Sequence, residues 1–267
     1  MNDSMDLLDF AIYVAPPYVV ALFLLGVGYR LGRYVFRWKR RVPATRRTRP
    51  LPSLLVGIIR TFADPLIVGL KQRKGDFIGG LVALHILGVI PLIFLLAPHV
   101  IVFTYWLPIY SILKPLAIPA SITSSGLTLL HNVLPASDMS WTFVNTLWGP
   151  LVIILNGDLL AILAILGVSY KIGDKLVRLF HRLPNNRIGD WYALLLLLSI
   201  LVTGFLATHH LPSGDIGTYR FVLGLHITLA ELLVISLPFT KFWHFVFGYW
   251  YGKLHEWYDL KFNRGAL

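Results

Sequence analysis

The chain has 267 residues, 56% of them hydrophobic and only 14% charged, where a soluble domain carries about 25% charged residues; an ordinary soluble fold is excluded. It has no cysteine, which excludes disulfides, cysteine-ligated iron–sulfur clusters and c-type haem attachment on this chain. The net charge of +11 sits in clusters between long apolar runs, the pattern of cytoplasmic loops in membrane proteins, so no nucleic-acid partner is expected.

The first residues, MNDSMDLLD, are acidic, and the apolar run behind them outlasts a signal sequence, so no cleavable signal peptide is expected. The period-2 alternation of an outer-membrane barrel is absent. The pattern predicts an all-α, polytopic fold: one membrane domain over 1–267, built as a five-transmembrane-helix bundle. The spans run from about Phe10 to Trp38, Phe77 to Tyr105, Trp148 to Tyr170, Trp191 to Thr208 and Tyr219 to Tyr249. Each equals or approaches the ~20 apolar residues that cross hydrocarbon as a helix. Between the first two spans, Leu51 to Leu70 is apolar but interrupted by Arg60, Asp64 and Pro65, as in an amphipathic helix lying at the inner interface. Trp106 to Met139 is apolar yet rich in Pro, Ser and Thr, as in a re-entrant or surface-lying outer segment.

Charge sets the expected orientation. Lys and Arg crowd into 37–74, 171–190 and the C-terminal tail. Lys114 is the only Lys or Arg between Tyr105 and Trp148, and the loop from His209 to Gly217 has none. The positive-inside rule then places the N-terminus outside and the C-terminus in the cytoplasm of a cell-membrane protein.

Four of the nine histidines lie inside apolar segments: His85, His99, His226 and His244. On a regular helix His85 and His99 would sit about 40° apart, and His226 and His244, five full turns apart, would share a face. The second and fifth spans run antiparallel. His85 and His244 then fall toward the inner side, and His99 and His226 toward the outer side. Neutral imidazole is a standard axial ligand for haem iron. Two stacked bis-histidine haem b groups satisfy the pattern, with Pro91 and Pro98 available to kink the second span. For any one histidine the alternative is a buried, hydrogen-bonded residue.

In the fifth span, HITLAELLVISLPFTKFWH carries a histidine, a long apolar run and P-F-T-K-x-x-H; the fourth is GDWYALLLLLSILVTGFLA and the first PPYVVALFLLGVGYRLGRYVFRW. With these motifs the chain resembles the cytochrome b (gamma) subunit of respiratory nitrate reductase and its DsrM-like and HdrE-like relatives. The second span departs from the nitrate reductase form, whose two histidines are closer together than His85 and His99. The resemblance implies a dihaem electron-transfer subunit of a quinol-dependent oxidoreductase. Its partners would be the lipid bilayer, quinol or quinone, an iron–sulfur subunit and a catalytic subunit. It also implies a quinol site near the outer haem, with Lys114 as the counterpart of a family lysine.

His131 lies in the same outer segment, and His209 and His210, at the outer end of the fourth span, are placed either to take a proton from quinol or to stand as solvated loop residues. Arg220 is placed for a propionate of the outer haem and Lys241 for one of the inner haem, or each as an interface anchor. Asp158 and Glu231 are acids within apolar segments, structural or part of a proton route. Two other readings fit the same residues: a transporter or proton-conducting protein, and a non-catalytic membrane anchor.

Overall fold

The computed structural model describes residues 5–38, 45–46, 51–123, 151, 154–183, 187–245 and 260–261. Its α-helices are α1 (Ala15–Trp38), α2 (Leu51–Gln72), α3 (Ile90–Leu95), α4 (Ala97–Trp106), α5 (Gly157–Phe180), α6 (Ile188–Thr208) and α7 (Ile216–Ser236). A helical turn (Leu7–Asp9) and a π-turn (Phe10–Val14) lead into α1, and a π-helix (Asp76–Val89) leads into α3. Among the described residues, β pairing is confined to Thr45–Arg46 against Leu260–Lys261 and the bridge Leu96–Ile118.

Among the described residues, four stretches are long and apolar enough to cross a membrane: Leu7–Arg33, Asp76–Leu95, Ile188–Thr208 and Ile216–Phe239. The protein is a helical, multi-pass membrane protein. Large apolar side chains stand exposed along these stretches, among them Tyr13, Tyr18, Leu25, Ile78 and Phe221, as lipid-facing surfaces do and water-facing ones rarely do.

Three boundaries differ from the sequence reading. The third span was expected from Trp148, but α5 starts at Gly157, and residues 124–150 lie outside the described ones. Asn156 sets that start: it is extended, and its side-chain oxygen accepts the amides of Asp158 (3.0 Å) and Leu159 (3.1 Å), an N-cap that halts helix on its upstream side. The apolar stretch 159–170 then covers only about 18 Å before Lys171, short of the ~30 Å hydrocarbon core. The second span is not one α-helix but a π-helix and two short α-helices separated at Leu96. The fifth span leaves the α-helix at Ser236, where Pro238 cannot supply the amide that helix continuation needs. Two short 3₁₀ turns, Leu237–Phe239 and Lys241–Phe245, follow, with Thr240 extended between them; 246–249 lie outside the described residues. The shared face of His226 and His244, argued for an unbroken helix, therefore does not exist. The 40° relation of His85 and His99 fails for the same reason.

The chain divides into two compact units. One comprises 75–186 and 197–226. Here α5 packs along the π-helix through small residues. A Cβ on Gly88 would stand 2.7 Å from Ala164 Cβ, and one on Gly167 would meet Gly79 O at 2.7 Å and Leu84. Small residues let helices in a membrane approach closely, where dispersion rather than the hydrophobic effect drives association. Lys171 of α5 is paired with Asp76 at the start of the π-helix.

The other unit comprises 1–74, 187–196 and 227–267. Gly26 of α1 is where the Pro238–Phe239 turn lands; a Cβ there would meet Pro238 Cγ at 2.5 Å. Arg30 Nε donates to Pro238 O (2.6 Å), and its guanidinium lies 5.6 Å from the centre of the buried Trp243 ring. Lys241 is ion-paired with buried Asp190. Within this unit α2 is a 22-residue helix with Val56, Ile59 and Ile67 exposed.

Candidate functional site

The site begins with a broken helix. Pro98 has no N–H to offer the carbonyl of Phe94, and Leu96 is extended (φ −62°, ψ 131°). The last carbonyls of α3 therefore lack intrahelical donors, and each of three finds another. Leu95 O accepts the amide of Ile118 (2.7 Å), whose own carbonyl takes the amide of Ala97 (2.8 Å). Phe94 O accepts the hydroxyl of Tyr110 (2.5 Å). Leu92 O accepts Nδ1–H of His99 (2.7 Å). The segment Ala117–Ser121, which supplies Ile118, is buried. The expected outer segment thus enters the interior of its unit at this point. His99 is held by the irregularity itself, on the first turn of α4 beside the fully buried Ala97 and Val100.

His226, on α7, faces it. Its Nδ1–H donates to Ile200 O of α6 (3.0 Å), with Thr203 Oγ1 3.4 Å from the same nitrogen. Gly204 makes room for the ring: a Cβ there would lie 2.8 Å from Cε1. The Thr-Gly pair of the fourth span is thus the seat of His226. The two imidazoles are parallel to within 3°, their centroids 6.2 Å apart.

That spacing has a chemical meaning. Two imidazole nitrogens on opposite sides of one metal, each at about 2 Å, place their ring centroids about 6 Å apart. Both rings commit Nδ1 to a backbone carbonyl, which sets the tautomer with Nε2 as the lone-pair nitrogen. This is the outer-shell arrangement that orients metal-ligating histidines and raises their basicity. The spacing and the shared tautomer are compatible with two imidazoles holding one metal-centred group between them. Among the described residues no group of three or more His, Asp, Glu or Cys is placed to hold a metal ion; two axial imidazoles need no third protein ligand.

Phe103 stands 6.3 Å from His99 and 5.2 Å from Tyr110, so an aromatic row leads from the pair to the 3₁₀ helix Pro108–Leu116. Lys114 lies on that helix, one turn beyond Tyr110. Arg220 lies on α7, six residues before His226 and so about 9 Å along the axis.

His85, in the π-helix, donates Nδ1–H to Gly80 O (2.5 Å). His244, exposed on its 3₁₀ turn, donates Nδ1–H to Lys241 O (2.5 Å). These two belong to different units. All four histidines thus share the same Nδ1-to-carbonyl bond. His131 lies outside the described residues, and Glu231 is half-buried on α7.

One grouping was invisible in the sequence. His209 Nε2 lies 2.8 Å from Asp158 Oδ1, and Asp158 Oδ2 accepts the hydroxyl of Ser121 at 2.7 Å. Its members are 37 and 51 residues apart, and no spacing rule joins them; the only signal was an acid in an apolar segment. His210 does not join it. With φ at 53° it turns away to stack on Tyr219, centroids 4.5 Å apart. No protein-family model, no curated protein and no solved structure matches this chain.

Proposed function

We propose that this protein is a five-span membrane cytochrome b, the dihaem subunit through which a respiratory redox complex exchanges electrons with the quinone pool. The observation that carries the reading is the His99–His226 pair: parallel rings 6.2 Å apart, each with Nδ1 held by a carbonyl. His99 and His226 would hold one haem b; the sequence pattern of His85 and His244 is the ground for expecting a second. When bound, haem b supplies one-electron redox chemistry.

The chain's own residues supply the rest. Leu92 and Ile200 carbonyls hold the two rings in the ligating tautomer, and Gly204 keeps the space beside His226 open. Apolar surroundings at Ala97 and Val100 exclude water, which shapes a haem's potential. Arg220 offers a guanidinium suited to a propionate carboxylate. The third of the five spans would be 148–170, which α5 continues into the charged end 171–180 at the inner surface. The Lys- and Arg-rich segments support a cytoplasmic C-terminus and a docking face for an iron–sulfur partner.

The test is the absorption spectrum of the purified protein with and without dithionite. Haem b bands at two haems per chain are expected, and His99→Leu or His226→Leu should each lose one haem. A protein that binds no haem b sinks the reading and favours a proton-conducting membrane protein. Full haem content in both variants removes this pair from the ligand set.

A further inference from the structure

The second span ends in a short helix with three unlike faces. Leu107 is extended (φ −135°, ψ 90°), and Pro108 opens a 3₁₀ helix that runs to Leu116. At three residues per turn, side chains three apart stand in line, so this helix carries three ridges. Tyr110 and Leu113, both half-buried, form the ridge that faces the protein, with Leu116 exposed at its end. Tyr110 donates to Phe94 O and packs edge-on to Phe103. Ile109, Ile112 and Pro115 form a second ridge, apolar and exposed, with 82% and 77% of the two isoleucines open. Behind Pro108, Ser111 and Lys114 form the third, which is polar. Tyr105 and Trp106, immediately upstream, are 84% and 59% exposed.

These faces select their surroundings. Water does not suit the second ridge, because Trp106, Leu107, Ile109 and Ile112 would leave large apolar side chains in it. The hydrocarbon core suits the helix no better. Nine residues leave most of the end amides and carbonyls without internal partners, and hydrocarbon offers none. Ser111 and Lys114 add a hydroxyl and a charge, costly at that depth. The boundary between water and hydrocarbon satisfies every face. There an apolar ridge enters the acyl chains, as it does in helices that lie in the interface plane. A lysine ammonium snorkels to lipid phosphate, and Tyr and Trp are the aromatic residues characteristic of that level. No Asp or Glu occurs between Asp76 and Asp138, so no carboxylate of this stretch repels the phosphates.

We infer that the helix Pro108–Leu116 lies flat in the headgroup region of the bilayer, with Ile109 and Ile112 in the acyl chains of phospholipid and Lys114 on lipid phosphate. The lipid then has a part in the neighbouring site. The same helix carries Tyr110, one of the groups that take up the stranded carbonyls of α3 beside His99. The depth at which the helix is seated therefore sets where that hydroxyl stands. This seating requires no haem.

The chain has no cysteine, so single introduced cysteines report cleanly. Ile109→Cys, Ser111→Cys and Ile112→Cys, each labelled with bimane, are reconstituted as full chains in nanodiscs of phosphatidylcholine and phosphatidylglycerol. Quenching is read with lipids that carry a nitroxide either near the headgroup or at the end of the acyl chain, and with aqueous iodide. The labels on Ile109→Cys and Ile112→Cys are expected to be quenched at least twofold more by the shallow nitroxide than by the deep one. The label on Ser111→Cys is expected to be quenched at least twofold more by iodide than either of them. A smaller preference for the shallow nitroxide at either isoleucine position overturns the inference. Dominant deep quenching would then indicate a re-entrant course, dominant iodide quenching a water-facing helix, and protection from every quencher a cover of protein, from a partner or a second copy. Tyr105→Cys should follow the isoleucine labels and gives the same reading where one of those variants fails to fold.

Discussion

Two prolines end two helices in this protein, and the results differ. At Pro98 the helix reopens into a buried site: three stranded carbonyls are taken up by the ring of His99, the hydroxyl of Tyr110 and the amide of Ile118. At Pro238 the helix ends in a turn packed on α1, with Ser236 and Pro238 buried and Phe239 exposed. Ser236 O accepts from Thr240, through both its amide and its hydroxyl, and Pro238 O accepts from Arg30. His244, just beyond, remains exposed. The local cause is the same missing amide. What differs is the company: at Pro98 a buried extended segment and a 3₁₀ helix close over the gap, while at Pro238 one arginine and one glycine suffice. A break becomes a site when enough chain returns to satisfy it and bury it.

The comparison breaks most sharply at the two glycines that seat these regions. Gly204→Ala should cost about 1–3 kcal/mol, because a methyl 2.8 Å from the His226 ring forces the ring or the helix to move. It should also lower haem content. Gly26→Ala meets Pro238 at 2.5 Å and should cost a similar amount while leaving unchanged the content of the haem proposed for the His99–His226 pair. Thermal unfolding in detergent and a reduced-minus-oxidised spectrum read both. Equal haem loss in the two variants would dissolve the distinction between the regions.

A smaller effect is expected at the carbonyls. Tyr110→Phe strands Phe94 O, which Pro98 already deprives of its helical donor, and should cost about 1–2 kcal/mol. Arg30→Met removes the donor to Pro238 O but keeps an apolar stem beside Trp243, and should cost less, about 1 kcal/mol. Unfolding midpoints of the two variants compare them directly; a larger loss for Arg30→Met would reverse the ranking.

The smallest effect is one of pH. Asp215 precedes α7, accepting the Thr218 amide at 2.9 Å. Hydrogen bonds from the Thr218 side chain and amide, with help from Ser213, lower its carboxyl from an ordinary 3.8 to about 2. Since the folded value lies below the unfolded one, its contribution is present above pH 3.8 and fades as pH falls toward about 2. Asp215→Asn should flatten the acid limb of the stability profile across that window. An unchanged limb would remove this cap from the account.

Much of the membrane architecture was legible residue by residue. Long apolar runs must become helices in lipid because no water is there to satisfy the backbone. Hence the fourth span was read at 191–208 against an observed helix at Ile188–Thr208, and 51–70 against Leu51–Gln72. The four histidines stood out because ionisable groups in apolar runs are rare. Helical geometry between them was not legible, because rotation per residue is known only while the helix stays regular. Pro98, Pro238 and the π-helix each reset it. The partnership of His209 with Asp158 and Ser121 was hidden as well. Contacts across 37 to 51 residues depend on how segments return, and only the packing of α5, α6 and the 117–121 segment decided it. So the sequence alone determined that this is a membrane protein of long apolar helices with histidines inside them. The tertiary structure decided which histidines meet, since a hydrogen bond or a ring pair forms only where two distant segments are brought within a few ångströms.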